Sequence, residues 1–204
     1  MRMLLLILLM MCGVFASAKA QAQDIRALFM DAPEEVLPLL PRNARADCID
    51  FADAGMSYPV SNLLGGESTL KVLTDNYLLL QTTSASTMEM KVLPCGDSFV
   101  ICVIKSVSAE ATDSRMAFYT SGWEKVDTTV YFKEPQIRDF FTDDSDLLDM
   151  CDIYLVSLKL AADDNTLVAE YTMPNYMDKA DAEKVRALLK KISYRWDGAR
   201  FVKE

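Results

Sequence analysis

From Ser68 to Phe132 apolar and polar residues alternate with a period of two, a pattern that a strand buries on one face and a helix cannot. Leu78 and Leu80, then Met88, Met90 and Val92, then Phe99, Ile101 and Val103, then Met116 and Phe118, then Val130 and Phe132 mark successive short strands. The interruptions at Asp75-Asn76, Pro94-Cys95-Gly96-Asp97 and Ser121-Gly122 are turn chemistry. Loops this short join antiparallel neighbours, because a parallel crossover needs a dozen or more residues. The segment predicts a curved antiparallel β-meander.

Helical spacing flanks it. Ile25, Leu28, Phe29 and Ala32 share one helix face, and Pro33 with Glu34 and Glu35 opens a short turn that Pro38 and Pro41 interrupt. A further helix is expected from Asn43 as cap through Cys48, Ile49 and Ala52, with Gly55 at its C-terminal end. Beyond the meander come a short helical stretch around Ile137, Phe140 and Phe141, an acidic loop, and a second hairpin. Its inner face carries Tyr154, Val156, Leu158 and Leu160, then Leu167, Ala169, Tyr171 and Met173, while Ser157, Lys159, Glu170 and Thr172 face water. Asp178 caps a helix expected to reach about Lys191, and Ile192 to Trp196 and Arg200 to Val202 close the chain around a turn at Asp197-Gly198. The expectation is one α+β domain over residues 21–204, with N-terminal and C-terminal helices packed on one face of the meander. Met90 to Val100 aligns without a gap on Leu158 to Val168, and each hairpin leads to a strand ending in tryptophan, Trp123 or Trp196. Internal duplication explains this, and so does shared hairpin chemistry.

Composition removes whole classes of chemistry. The 204 residues include no histidine, so Ser-His and Cys-His nucleophile pairs and imidazole metal ligands are absent. A net charge of -9 repels phosphate backbones and disfavours a general nucleic-acid binder.

The first twenty residues read as a secretory signal peptide. Arg2 supplies the positive region, Leu4 to Phe15 the apolar stretch, and Ala16-Ser17-Ala18-Lys19-Ala20-Gln21-Ala22 the small-residue segment, with cleavage placed after Ala20. The apolar run is too short for the roughly 20 residues of a membrane-spanning helix, so a periplasmic or secreted chain is expected. Cys12 follows Met11, not the small residue that lipidation requires. Cleavage leaves 19 basic against 30 acidic residues, a net charge of -11, and an excess of basic residues from Lys179 onward reads as a solvated helix face. Four cysteines remain, Cys48, Cys95, Cys102 and Cys151, which an oxidising compartment allows to pair in three ways. Cys102 alternates within an apolar run and reads as a buried thiol; Cys95 sits in a turn without an obvious base beside it.

Several motifs suggest sites and fall short. Ser68-Thr69-Leu70-Lys71 matches the Ser-x-x-Lys of penicillin-recognising enzymes, but its companion elements are missing, and on a strand Ser68 and Lys71 point to opposite faces. Six aspartates crowd Asp139 to Asp152, a composition that suits calcium, yet no EF-hand glycine or closing glutamate accompanies them. Gly65-Gly66 lacks the rest of a phosphate-binding loop. Paired carboxylates could run a glycosidase if two of them stood about 5 to 9 Å apart in a cleft. Trp123 and Trp196, the two indoles, read as packed strand-end residues before they read as a sugar platform. No residue is assigned a catalytic, cofactor or metal role, and no cofactor is expected.

The run Asp75-Asn76-Tyr77-Leu78-Leu79-Leu80-Gln81, with Thr83 to Lys91, Asp113-Ser114-Arg115 and Trp123, resembles a Bacteroidales-restricted family of exported proteins with a domain of unknown function. The resemblance covers most of residues 24–202 and implies export and a single domain, without implying a site. The expected function is a non-catalytic envelope-associated module binding a protein, peptide or glycan partner; the alternative is a carboxylate-dependent hydrolase acting on glycan or peptidoglycan.

Overall fold

The computed structural model describes residues 24–143 and 146–204, so the expected leader, residues 1–20, lies outside the described residues. The alternating segment forms a seven-stranded antiparallel sheet whose strands neighbour one another in chain order: β1 (Pro59–Ser61), β2 (Glu67–Leu73), β3 (Tyr77–Thr83), β4 (Ser86–Cys95), β5 (Ser98–Ser108), β6 (Thr112–Tyr119) and β7 (Lys125–Val126). Only Gly96 and Asp97 connect β4 to β5, and Gly96 takes φ 57°, the left-handed conformation that favoured two-residue hairpin turns require. Register shifts between Leu70 and Val72 and between Gln81 and Thr83 bend the sheet. Its far end departs from expectation. Val130 and Phe132 form no strand, because Asp127 caps a short helix, α3 (Thr128–Tyr131), accepting from Thr129 N at 3.0 Å.

A second antiparallel sheet contains β8 (Val156–Leu160), β9 (Thr166–Tyr171), β10 (Ile192–Trp196) and β11 (Phe201–Lys203), in the order β11-β10-β9-β8. Lys159 on its outer face is exposed as expected and Glu170 partly so, but Ser157 is buried and Thr172 donates to the Thr112 carbonyl at 2.6 Å. The two aligned hairpins are not equivalent. Met90 pairs with Val103, whereas its counterpart Leu158 pairs with Ala169, which aligns with Ile101, so the registers differ by two residues. The sequence likeness is therefore not matched by a shared pairing register or turn length.

Helices α1 (Ile25–Asp31), α2 (Arg42–Asp53) and α4 (Lys179–Arg186) complete the fold. The cap of α2 is Pro41, two residues before the expected Asn43, and Gly55 follows its end at φ 72°. Asp178 caps α4 as expected, accepting from Ala180 N at 3.0 Å, but the helix stops five residues short of Lys191. Backbone pairing competes there: Thr142 N donates to Leu188 O at 2.9 Å and Lys190 N to Phe140 O at 2.8 Å.

The α+β class holds, but the helices do not share a face. Ile25, Phe29, Leu40 and Cys48 from the N-terminal segments cover Leu78, Leu80, Met88, Met90, Ile101 and Val103. On the opposite face Tyr77, Cys102, Ile104 and Phe118 join one core cluster with the second sheet, and Val185 of α4 belongs to that cluster. Three layers result, and the central strands are buried on both sides.

Candidate functional site

The alternation that sends Met88 and Met90 toward the helices sends Glu89 and Lys91 toward the second sheet, which leaves Glu89 6% exposed and Lys91 0%. Here β8 presents its free edge to the face of the large sheet. Leu160 N donates to Glu89 Oε2 at 2.8 Å, Leu158 N donates to Ser114 Oγ at 3.0 Å, and Tyr77 OH donates to the same Glu89 oxygen at 3.1 Å. Lys91 Nζ donates to Ala161 O at 2.7 Å and lies 5.4 Å from the Tyr77 ring centroid. An unpaired edge inside a protein leaves costly orphan amides, and these side chains stand where a further strand would be. Burial raises the Glu89 pKa and lowers that of Lys91, and it pushes the Tyr77 hydroxyl and the Cys102 thiol up. The charges acting on Glu89 are those of Lys159 and Lys91, with no second carboxylate beside it. The cluster is a closed joint between sheets, not an acid-base pair facing substrate.

A second buried ion shapes the helix layer. Arg45, 4% exposed on α2, aims its guanidinium under residues 29–40. Its Nε donates to Leu40 O at 2.8 Å, and Nη1 donates to Met30 O at 3.2 Å and to Ala32 O. Phe29 O and Leu37 O lie at the longer distance of 3.4 Å. Proline interrupts regular structure in this segment, so its carbonyls need an outside donor, and a planar fork of five N–H groups supplies it.

The helix layer ends at that segment, and the ends of β3, β4 and β5 beyond it are uncovered. A groove of about 160 Å³ opens there, walled by residues 36–40 and floored by Thr82, Ser86, Met88, Lys105 and Val107. Val107 is 62% exposed, and Leu63 and Leu64 on the β1–β2 turn are 67% and 72% exposed, so this corner presents apolar surface to solvent. Leu63 N donates to Leu39 O at 3.0 Å, which ties the turn to the groove wall. Residues 54–66 contain no charged side chain. Among the described residues Lys105 is the one ionisable residue lining the groove; it donates to Glu35 O at 3.2 Å, and burial lowers its pKa.

The motifs singled out in the sequence are held in structural roles. Ser68 Oγ donates to Thr82 O at 2.7 Å, and Lys71 is exposed on the same strand, away from it. Asp139 Oδ2 accepts from Gln136 N at 2.8 Å in a cap, Asp144 lies outside the described residues, and among the described residues no three metal-ligating side chains converge. Trp196 donates from Nε1 to Pro94 O at 2.6 Å and packs 5.2 Å from the Phe201 ring; Trp123 sits in the turn after β6, 5.4 Å from Tyr119. Cys48, Cys95, Cys102 and Cys151 are free thiols, so no disulfide joins them. Burial pushes Cys48 up to about 11 and also raises Cys151, whereas Cys95 is half-exposed. Titration of the native chain 21–204 with a chromogenic disulfide reagent is expected to report Cys95 alone promptly, and the other three thiols only on addition of denaturant. Prompt reaction of Cys48 or Cys102 would contradict the packing.

Sequence reasoning missed Glu89, Lys91, Arg45 and the groove. The alternation around Met88 and Met90 already placed Glu89 and Lys91 together on one face; nothing local indicated that this face is covered. Leu63-Leu64 in an uncharged turn was the available signal for the groove corner.

No helix among the described residues is long and apolar enough to cross a membrane. No curated protein matches the sequence. A domain of an uncharacterized protein from Porphyromonas gingivalis W83, a member of the Bacteroidales, has a similar structure, with a TM-score of 0.77 and 26% identity over 88% of this chain and 97% of that one. The family model described as "Protein of unknown function (DUF3256)" matches residues 17–201, nearly the whole of what folds here, and the chain belongs to that family.

Proposed function

We propose that the protein is exported and serves as a non-catalytic binding module whose partner is a protein or peptide, docked at the corner formed by residues 36–40, the Leu63-Leu64 turn and Val107. The leader-like pattern of residues 1–20 supports export. One observation carries the binding reading: Val107 lines an apolar groove and is more than half exposed, and the Leu63-Leu64 turn, hydrogen-bonded to the groove wall through Leu39, exposes two more large apolar side chains. Water-exposed apolar surface of this kind is the ordinary mark of an interaction site. The aliphatic lining favours a polypeptide over a glycan, since both indoles are engaged in packing elsewhere. Glu89, a carboxylate that burial raises, is engaged by two structural donors and offers nothing to a hydrolase.

The test is capture from the envelope fraction with wild type and with Val107→Glu, paired with an assay for turnover of cell-wall fragments. The expected result is a stoichiometric partner held by wild type and released by the variant, with unchanged melting temperature. Equal capture by both proteins, or glycan cleavage by the wild type, overturns the reading.

A further inference from the structure

We infer that the groove between residues 36–40 and the ends of β3, β4 and β5 takes a peptide segment that presents one large apolar side chain next to a carboxylate; this rests on reading the protein as a binding module. Size sets the first half of that ligand. The groove holds about 160 Å³, and an apolar cavity of about 150 Å³ is enough for a benzene ring. One phenylalanine or leucine fits, and a long acyl chain does not. Single anchors of this kind, seated in a pocket and screened from water at the rim, carry most of the energy of protein interfaces.

Charge sets the second half. The chain has 30 acidic residues against 21 basic ones, yet the only ionisable side chain in the groove lining is Lys105. Its ammonium donates to a backbone carbonyl, Glu35 O, and among the described residues no carboxylate pairs with it. The wall across from it, residues 36–40, is wholly apolar. An incoming carboxylate beside the anchor would therefore meet the Lys105 ammonium, held on a backbone carbonyl and in no ion pair among the described residues, the arrangement that selects partners by charge. The rim adds the Thr82 and Ser86 hydroxyls, which bond each other at 2.8 Å, with Ser86 Oγ also 2.6 Å from Thr83 Oγ1.

The experiment titrates the isotope-labelled protein with capped peptides in which phenylalanine is followed by aspartate, by asparagine, or in which serine replaces phenylalanine. Amide shifts of Leu37, Leu39, Met88 and Val107 locate the binding. The phenylalanine-aspartate peptide is expected to move these four amides, to bind about tenfold more tightly than its asparagine analogue, and to lose that preference in Lys105→Met. The serine peptide is expected to leave the groove unperturbed. Equal affinity for the aspartate and asparagine peptides overturns the inference, as does tighter binding of octanoate at the same amides or self-association of the protein through this face. Failure of every peptide, while Val107→Glu still releases the captured partner, sinks the ligand assignment and leaves the binding module standing. Retention of that partner by Val107→Glu instead removes the binding site itself.

Discussion

Glu89→Leu is expected to lower the unfolding free energy by about 3–5 kcal/mol, the range for removing one member of a buried charged constellation. The leucine leaves Leu160 N and the Tyr77 hydroxyl without their acceptor, and it removes one of the acidic groups, after Asp164 and Asp163, that act on fully buried Lys91. Lys91→Met alone should also be costly, because it leaves Ala161 O without its donor and Glu89 with Lys159 as its remaining cationic neighbour. The pair Glu89→Gln with Lys91→Met is expected to recover much of the loss, since glutamine retains an acceptor for Leu160 and methionine needs no counter-charge. Urea unfolding of wild type, Glu89→Gln, Lys91→Met and the double variant measures the coupling, and strict additivity of the two single losses would remove the joint as an explanation.

The same carboxyl links stability to pH. Burial raises its folded pKa above the ordinary glutamate value of 4.5, so the folded chain keeps a proton that the unfolded chain releases. Stability from this group is complete below 4.5 and is lost as pH rises through the raised value. Wild type should therefore gain on Glu89→Gln as the medium is acidified through that window. Lys91 acts with the opposite sign: its lowered pKa gives stability above the ordinary lysine value that is lost as pH falls through the depressed one. Comparing wild type with Glu89→Gln at each pH isolates the carboxyl, and parallel stability curves would count against its assigned environment.

Arg45→Met is the second large loss, expected at about 3 kcal/mol or more, because hydrogen bonds from a charged donor contribute about 1.5–3 kcal/mol each and buried carbonyls are left unpaired. Lysine should rescue little, since a point ammonium cannot span Met30, Ala32 and Leu40 as the planar fork does. Residues 36–40 form the groove wall, so Arg45→Met should also shift the Leu39 and Val107 amides while leaving Leu158 in the distant joint unmoved. A variant within about 0.5 kcal/mol of wild type would mean that water satisfies those carbonyls equally well.

Much of the chain followed from local pattern. The meander, its Gly96 hairpin, the Asp178 cap and the inward face of β9 all lie within a few residues of the side chains that cause them. Errors arose where a distant partner competed. Val130 and Phe132 alternate like a strand, but Asp127 offers a helix cap; Leu188 and Leu189 have helical spacing, but residues 140–142 take their backbone bonds. Of the groove corner, the uncharged Leu63-Leu64 turn stood in plain view, while Leu39, to which it bonds, and Val107 across the groove from Leu39 lie tens of residues away in the chain.

Side-chain periodicity and turn residues determined the antiparallel strands and the α+β class, because those choices are settled by contacts between near neighbours in the chain. Which face meets which was decided only by the tertiary structure. Glu89 and Lys91 sit on what reads as a wet face until β8, about seventy residues onward, lays its unpaired edge across it, and a polar side chain is exposed or buried according to what arrives to cover it. The groove has the same origin in reverse: an apolar face stays open where the helix layer, held by Arg45, comes to an end.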